Sequence, residues 1–87
     1  MSERPEHRIK RLRMRSMRRG IKEMDIILTR YADLRLAAMD AGQLDEFEAL
    51  LAENDQDLYQ WVTGQVAPPP AFTGLVSDIT EIACRGK

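Results

Sequence analysis

The residues best suited to binding chemistry lie at 19–23, where a basic run ends at Arg19 and Gly20 and an acid, Glu23, follows. An arginine binds carboxylates through paired hydrogen bonds, a glycine lets two backbones approach closely, and a glutamate can receive a cation. The same order also suits a junction between two helices, because arginine favours a helix C-terminus and glutamate favours a first turn. From the pattern alone, a helix junction and a binding site both remain open.

The basic run before Gly20 holds most of the positive charge of the chain. Residues 1–22 contain nine lysines and arginines against two acids, whereas residues 23–87 contain four against twelve. If the run is helical, Arg11, Arg15 and Arg18 share one face. This face could bind nucleic acid, recognise the carboxylates of a protein partner, or pair with the chain's own acidic helices. The run contains no aromatic residue for base stacking, which weighs against nucleic acid.

Few residues could support catalysis or bind a metal. The chain has one cysteine, Cys84, and one histidine, His7, so neither an internal disulfide nor a histidine-based triad can form. We therefore predict no catalytic residues, no metal site and no enzyme activity. The lone cysteine indicates a reducing compartment, and we expect a cytoplasmic location. No apolar run approaches the roughly 18 residues that cross a bilayer, so we expect neither membrane insertion nor a secretory signal.

Helices must position these residues, because helical periodicity is frequent and period-2 alternation is scarce. Five are predicted, over about residues 5–18, 21–41, 44–53, 54–64 and 72–83. Gly42 and Gly64 are expected to end the second and fourth helices, Asn54 or Asp55 to cap the fourth, and the prolines at 68–70 to form an extended connector. We predict an all-α, single-domain five-helix bundle over residues 10–84, with a partly ordered segment at 1–9 and a tail at 85–87.

The apolar faces of these helices predict the core. On the second helix the face follows i, i+3, i+4 and i+7 spacing and contains Met24, Ile27, Leu28, Tyr31 and Leu34. Three further aromatic residues, Phe47, Trp61 and Phe72, lie on the apolar faces of later helices. We therefore predict that these aromatic side chains pack in the core.

Two motifs occur in order along the chain. In the first, a basic helix ends in R-R-G, and after two further residues come E-M-D and three aliphatic residues. An acidic helix follows, and the second motif is D-L-Y-Q-W at 57–61. In this order the two motifs resemble the succinate dehydrogenase assembly factor family, whose members promote flavinylation, and the resemblance covers about residues 10–63. The R-G-x-x-E core of the family maps onto Arg19, Gly20 and Glu23, and its next acid maps onto Asp25.

One departure concerns the basic helix. Many members of the family carry an aromatic residue near Met14 or Met17, whereas this chain has methionine at both positions. The substitution would alter one edge of an interface and would leave its arginine-glycine-glutamate centre in place.

The resemblance implies a non-enzymatic helper that binds the flavoprotein subunit of succinate dehydrogenase, or of fumarate reductase, and promotes covalent attachment of FAD to a histidine of that subunit. The helper itself would bind no cofactor stably and no nucleic acid, and we expect it to be a monomer. Partner contacts are implied for Arg19, Gly20, Glu23 and Asp25, with charge steering by Arg15 and Arg18. The alternative is a small regulatory or antitoxin-like protein that binds a protein or nucleic acid through its basic helix.

Overall fold

Five α-helices form in the computed structural model, which describes residues 4–17 and 19–85 apart from the side chains of Pro5 and Arg85. The helices are α1 (Pro5–Arg15), α2 (Lys22–Arg35), α3 (Ala41–Leu51), α4 (Asp55–Val62) and α5 (Thr73–Arg85). Short 3₁₀ helices occur at Leu36–Ala38 and Pro70–Phe72. The described residues contain no strand, and the prediction of an all-α five-helix bundle is confirmed.

Helix α2 contacts α1, α4 and α5 and provides the centre of the core. Its residues Met24, Leu28 and Tyr31 are buried as predicted, and the Tyr31 ring lies 5.7 Å from the ring of Phe47 on α3. The prediction for Leu34 is wrong, since 57% of this residue is exposed. The buried face of α2 includes Ala32 instead, so Leu34 falls at the edge of that face.

Trp61 of α4 packs against Phe72 of the connector that precedes α5. Trp61 is 9% exposed, and its ring lies 6.0 Å from that of Phe72, which is partly buried against the core. Helix α5 adds Leu75, Val76, Ile79 and Ile82 to the core. The apolar periodicity therefore predicted the packing roles of these aromatic residues correctly.

The predicted boundary between the second and third helices is wrong. Helix α2 ends at Arg35 and not near residue 41, and Gly42 lies inside the first turn of α3. The cause is Asp40, whose side chain accepts a hydrogen bond from the Gln43 backbone at 2.8 Å. The Gln43 side chain accepts one in return from the Asp40 backbone at 2.9 Å, which completes a capping box and starts a new helix.

The ends of α4 agree with the sequence. The Asn54 side chain accepts a hydrogen bond from the Gln56 backbone at 2.8 Å and so caps the helix. Gly64 has a φ of +83°, the left-handed conformation that glycine adopts most easily after a helix.

Helix α1 is shorter than predicted and ends at Arg15. The connector also departs from the prediction, because Pro70 begins a 3₁₀ helix.

Candidate functional site

Arg19 and Gly20 form the junction between α1 and α2, which we call the arginine-glycine junction. The Arg19 side chain is only 12% exposed and forms an ion pair with Asp55 at 2.6 Å. Its Nε also donates to Asp55 at 2.7 Å, and its terminal nitrogens lie near three backbone oxygens. A guanidinium has five N–H groups, of which four donate hydrogen bonds here, and Nη2 also lies within ion-pair distance of Asp55.

The three backbone oxygens near Arg19 explain why an arginine suits this position. They belong to Arg15 at 3.2 Å, Leu51 at 3.1 Å and Glu53 at 3.4 Å. Arg15 and Leu51 are the last residues of α1 and α3, whose carbonyl groups have no partner within their own helices. A cation at this position also interacts favourably with the negative C-terminal ends of the two helix dipoles. Arg19 thus joins two helix ends to the first residue of α4.

Gly20 is needed here for space and not for a left-handed turn. Its backbone N–H donates to Asp55 Oδ2 at 2.5 Å, and a Cβ at this position would lie 3.0 Å from the same oxygen. Among the described glycines only Gly64 has a positive φ. The close approach that the sequence suggested is therefore present, but the approaching group belongs to this chain.

Glu23 differs from Arg19 because its side chain faces solvent and has no partner among the described residues. It lies in the first turn of α2 with an exposed side chain, and it forms no hydrogen bond or ion pair with the described residues. Helix α2 has no side-chain cap at Ile21, and Glu23 occupies the first turn, as expected for a glutamate at a helix junction. Asp25 is half-buried and accepts a hydrogen bond from Thr29 Oγ1 at 3.3 Å. Of the predicted acids, Glu23 is the better placed for an external partner.

An apolar groove lies next to Glu23, between α2, α4 and α5. We call it the Glu23 groove. Its volume is about 520 Å³. The apolar wall includes Ile26, Ile27, Tyr59, Val62, Ala83 and Cys84. Cys84 is exposed at the rim of this groove. Glu23 thus combines a carboxylate with an adjoining apolar surface.

The basic face of α1 is paired with acids of the same chain. Glu48 on α3 accepts hydrogen bonds from Arg8 and Arg11, each at 3.1 Å, and lies 3.8 Å from Arg15. The hydrogen bonds from Arg11 and Arg8 lower the pKa of Glu48. Of the three interpretations of the basic run, internal pairing is the one seen in the described residues.

Two further ion pairs of α1 complete this arrangement. Arg8 contacts Asp45 on α3 at 2.5 Å, and Arg13 contacts Asp33 on α2 at 2.5 Å. The outer side of α1 retains Met14, which is 63% exposed, and Met17, which follows the helix, is 38% exposed. Arg18, which we predicted to steer a partner, lies outside the described residues.

Sequence reasoning missed the central role of Asp55, which it considered only as a possible helix cap. Several acids follow one another at 53, 55 and 57, and nothing in their order marks Asp55 as the partner of Arg19. One signal was available, since an arginine beside a helix end requires acceptors.

The described residues contain no cluster of three or more potential metal ligands, and no described helix has the length and apolar character needed to cross a bilayer.

The fold and this surface define a small helical bundle that presents one exposed glutamate beside an apolar groove. Residues 10–83 match a family model described as "Flavinator of succinate dehydrogenase". The chain belongs to this family, which confirms the relationship predicted from its motifs.

Three relatives, each named "Succinate dehydrogenase assembly factor 2, mitochondrial", show the extent of the similarity. The Yarrowia lipolytica protein is 43% identical over 78 residues, which cover 84% of this chain and 54% of the relative. The Aspergillus flavus protein is 40% identical over 68 residues, which cover 78% of this chain and 22% of the relative. The Aspergillus terreus protein is 48% identical over 58 residues, which cover 67% of this chain and 19% of the relative. The matched region therefore spans about half of the first relative and about a fifth of the other two.

The names of these relatives contradict our prediction of a cytoplasmic location, because they point to mitochondria. The prediction rested on a single cysteine, Cys84. One cysteine shows only that the chain has no internal disulfide, which does not distinguish one reducing compartment from another.

Proposed function

We propose that this protein acts in the assembly of succinate dehydrogenase by binding its flavoprotein subunit and promoting the covalent attachment of FAD. The observation that carries the proposal is the family match over residues 10–83, which includes both motifs. The flavoprotein subunit of fumarate reductase is a second client of the same kind. We further propose that the protein acts as a monomer.

The proposed help is positional and not catalytic. Covalent attachment would join a histidine nitrogen of the client to the 8α carbon of the isoalloxazine ring in a suitable tautomer. A C–H bond of the 8α-methyl group would break, its proton would be released, and the flavin ring itself would take up the two electrons. A helper that binds the client in the arrangement in which these groups meet raises the population of that arrangement. This chain then needs neither a nucleophile nor a stable FAD site of its own. The fixed arginine-glycine junction supports such a role, because a rigid surface loses little entropy on binding.

Glu23 and the Glu23 groove are the surface that we assign to the client. An exposed carboxylate attracts a lysine or arginine, and the adjoining apolar wall suits the aliphatic part of the same segment. Asp25 lies in the same turn of α2 and supports the negative charge of this surface. Arg15 is held near Glu48 and contributes at the periphery.

The substitution Glu23→Gln tests the binding surface, with Glu46→Gln as a matched control. Both residues are exposed glutamates on helices, and Glu46 lies on α3 outside the Glu23 groove. We expect Glu23→Gln to weaken binding of the purified flavoprotein subunit about tenfold, because one charge-assisted hydrogen bond contributes about 1.5 kcal/mol. Isothermal titration calorimetry measures the affinity. Equal affinities for the two variants would contradict this assignment.

The regulatory alternative predicts salt-sensitive binding of nucleic acid through α1. The pairing of Arg8, Arg11 and Arg15 with Glu48 disfavours it, since these side chains already have anionic partners. A filter-binding assay with RNA and duplex DNA at about 50 and 200 mM salt separates the two functions. We expect no retention at either salt concentration, and retention that falls steeply with salt would favour the alternative.

A further inference from the structure

The carboxylate of Asp55 is bound by both residues of the arginine-glycine junction. Oδ1 receives Arg19 Nε at 2.7 Å and lies 2.6 Å from Nη2, while Oδ2 receives the Gly20 backbone N–H at 2.5 Å. Asp55 is the first residue of α4, and its side chain is 18% exposed. A negative charge is favoured at a helix N-terminus. One carboxylate therefore connects the start of α4 to the backbone that leads into α2.

The contacts of Arg19 extend this connection to α1 and α3. Its guanidinium reaches the final carbonyl groups of both helices, at Arg15 and Leu51, in addition to Asp55. Since four of its N–H groups already donate within this chain and Nη2 also pairs with Asp55, contact with a client carboxylate would compete with these bonds. Breaking a hydrogen bond in a site this little exposed is costly. The hydrogen-bond donors of Arg19 thus already serve contacts within the bundle.

Gly20 completes the arrangement by leaving room for the carboxylate. A Cβ at residue 20 would come within 3.0 Å of Asp55 Oδ2, so the carboxylate would have to shift by a few tenths of an ångström from its present bonds. Ile21 follows Gly20 and immediately precedes α2, and Glu23 lies in the first turn of that helix. The position of Asp55 therefore determines the path of the backbone toward Glu23.

We propose that Asp55 is a positioning residue for the client-binding surface, that Arg19 and Gly20 act through it, and that Arg19 is an internal link that does not contact the client. The inference rests on the proposed function for its final step, the binding of the flavoprotein subunit. Its first step, the anchoring of the junction by Asp55, can be measured in the protein alone.

The first experiment compares Asp55→Asn with Glu53→Gln in the isolated protein. Asparagine has one acceptor oxygen, and its NH2 group would face either the Arg19 or the Gly20 donor. It can therefore retain only one of the bonds to Arg19 and Gly20. Glu53→Gln removes the same charge two residues earlier, where the side chain is exposed and only the backbone oxygen meets Arg19. Amide hydrogen exchange at Gly20, followed by NMR, should become about tenfold faster or more in Asp55→Asn and change less than about twofold in Glu53→Gln.

The second experiment measures the affinity of the same variants for the purified flavoprotein subunit. We expect Asp55→Asn to weaken binding about tenfold while circular dichroism still shows a folded bundle, and Glu53→Gln to change it less than about twofold. Arg19→Lys should weaken binding to a similar extent, and the double variant should be little weaker than either single variant, because both changes release the same junction. If Asp55→Asn does not fold, Gly20→Ala replaces it, since its Cβ displaces the carboxylate while the charge remains.

The outcomes separate the two claims. If the wild-type protein does not bind the flavoprotein subunit, the proposed function is wrong, and the positioning role falls with it whatever the exchange data show. If the wild type binds but Asp55→Asn exchanges at Gly20 like the wild type, Asp55 does not anchor the junction. If the Arg19→Lys and Asp55→Asn effects on affinity add fully, Arg19 contacts the client directly and the inference is overturned.

Discussion

The pairing of α1 with α3 makes Glu48 a sensitive position. Its carboxylate accepts hydrogen bonds from Arg8 and Arg11 and lies near Arg15, so Glu48→Gln leaves three arginines facing a neutral amide. The side chain of Glu48 is 33% exposed, and the arginines range from 20% to 40%. Exposed ion pairs contribute about 0.2–1 kcal/mol each, so we expect a loss of about 1 kcal/mol in the free energy of unfolding.

Urea denaturation at pH 7 measures this loss, with Glu46→Gln as the control on the same helix. Glu46 is exposed and lies near no arginine at ion-pair distance among the described residues. The difference between Glu48→Gln and wild type should shrink in about 1 M salt, where charges are screened within about 3 Å. A loss in Glu48→Gln no larger than in the control would refute the internal pairing of the basic helix.

The pH dependence gives a second view of the same residue. The folded-state pKa of Glu48 is lowered, chiefly by the hydrogen bond from Arg11 and also by that from Arg8. Its stabilising contribution is therefore present above the unfolded pKa of about 4.3 and is lost as the pH falls through the folded value. The difference in stability between wild type and Glu48→Gln should begin to shrink as the pH falls below about 4.3, and it should disappear below the lowered folded-state pKa. A constant difference down to about pH 2 would contradict this linkage.

The remaining predictions concern the core and one helix end. Tyr31→Phe should lower the free energy of unfolding by about 1–2 kcal/mol in urea denaturation, because the buried phenol donates to Asp78 Oδ2 at 2.8 Å. The packing of the ring on Phe47 remains, so an unchanged midpoint would show that the hydrogen bond contributes nothing. Burial and this bond raise the pKa of Tyr31, so the advantage of tyrosine over phenylalanine should decline above about pH 10, where the unfolded phenol ionises. Gly64→Ala should cost about 1 kcal/mol in a thermal melt, because residue 64 has a φ of +83°, and Gly74→Ala is the control inside a helix with open space around it.

The helices and most of the core could be predicted from the sequence because they depend on local periodicity. Tyr31, Phe47 and Trp61 fall on apolar faces that only helical spacing produces, and each is buried. The boundary at residues 36–41 could not be predicted, since it depended on whether Asp40 or Gly42 controlled the junction. The capping box at Asp40 formed, and Gly42 was accommodated inside α3.

The candidate site was predicted less completely because its contacts join residues far apart in the chain. The pattern at 19–23 pointed to Arg19, Gly20 and Glu23, but it could not show that the first two bind Asp55, 35 or 36 residues further on. Nor could charge alone separate a basic arm from a helix paired with its own acids. That distinction required the packing of α1 against Glu48.

Covalent flavin on the client is the measurement that tests the central claim most directly. A strain lacking the gene for this protein is compared with strains that express the wild type, Glu23→Gln or Glu46→Gln, and the flavoprotein subunit is examined by in-gel flavin fluorescence after denaturing electrophoresis. The proposed function predicts that fluorescence is lost in the deletion strain, returns with the wild type and Glu46→Gln, and stays low with Glu23→Gln. Wild-type fluorescence in the deletion strain would contradict it.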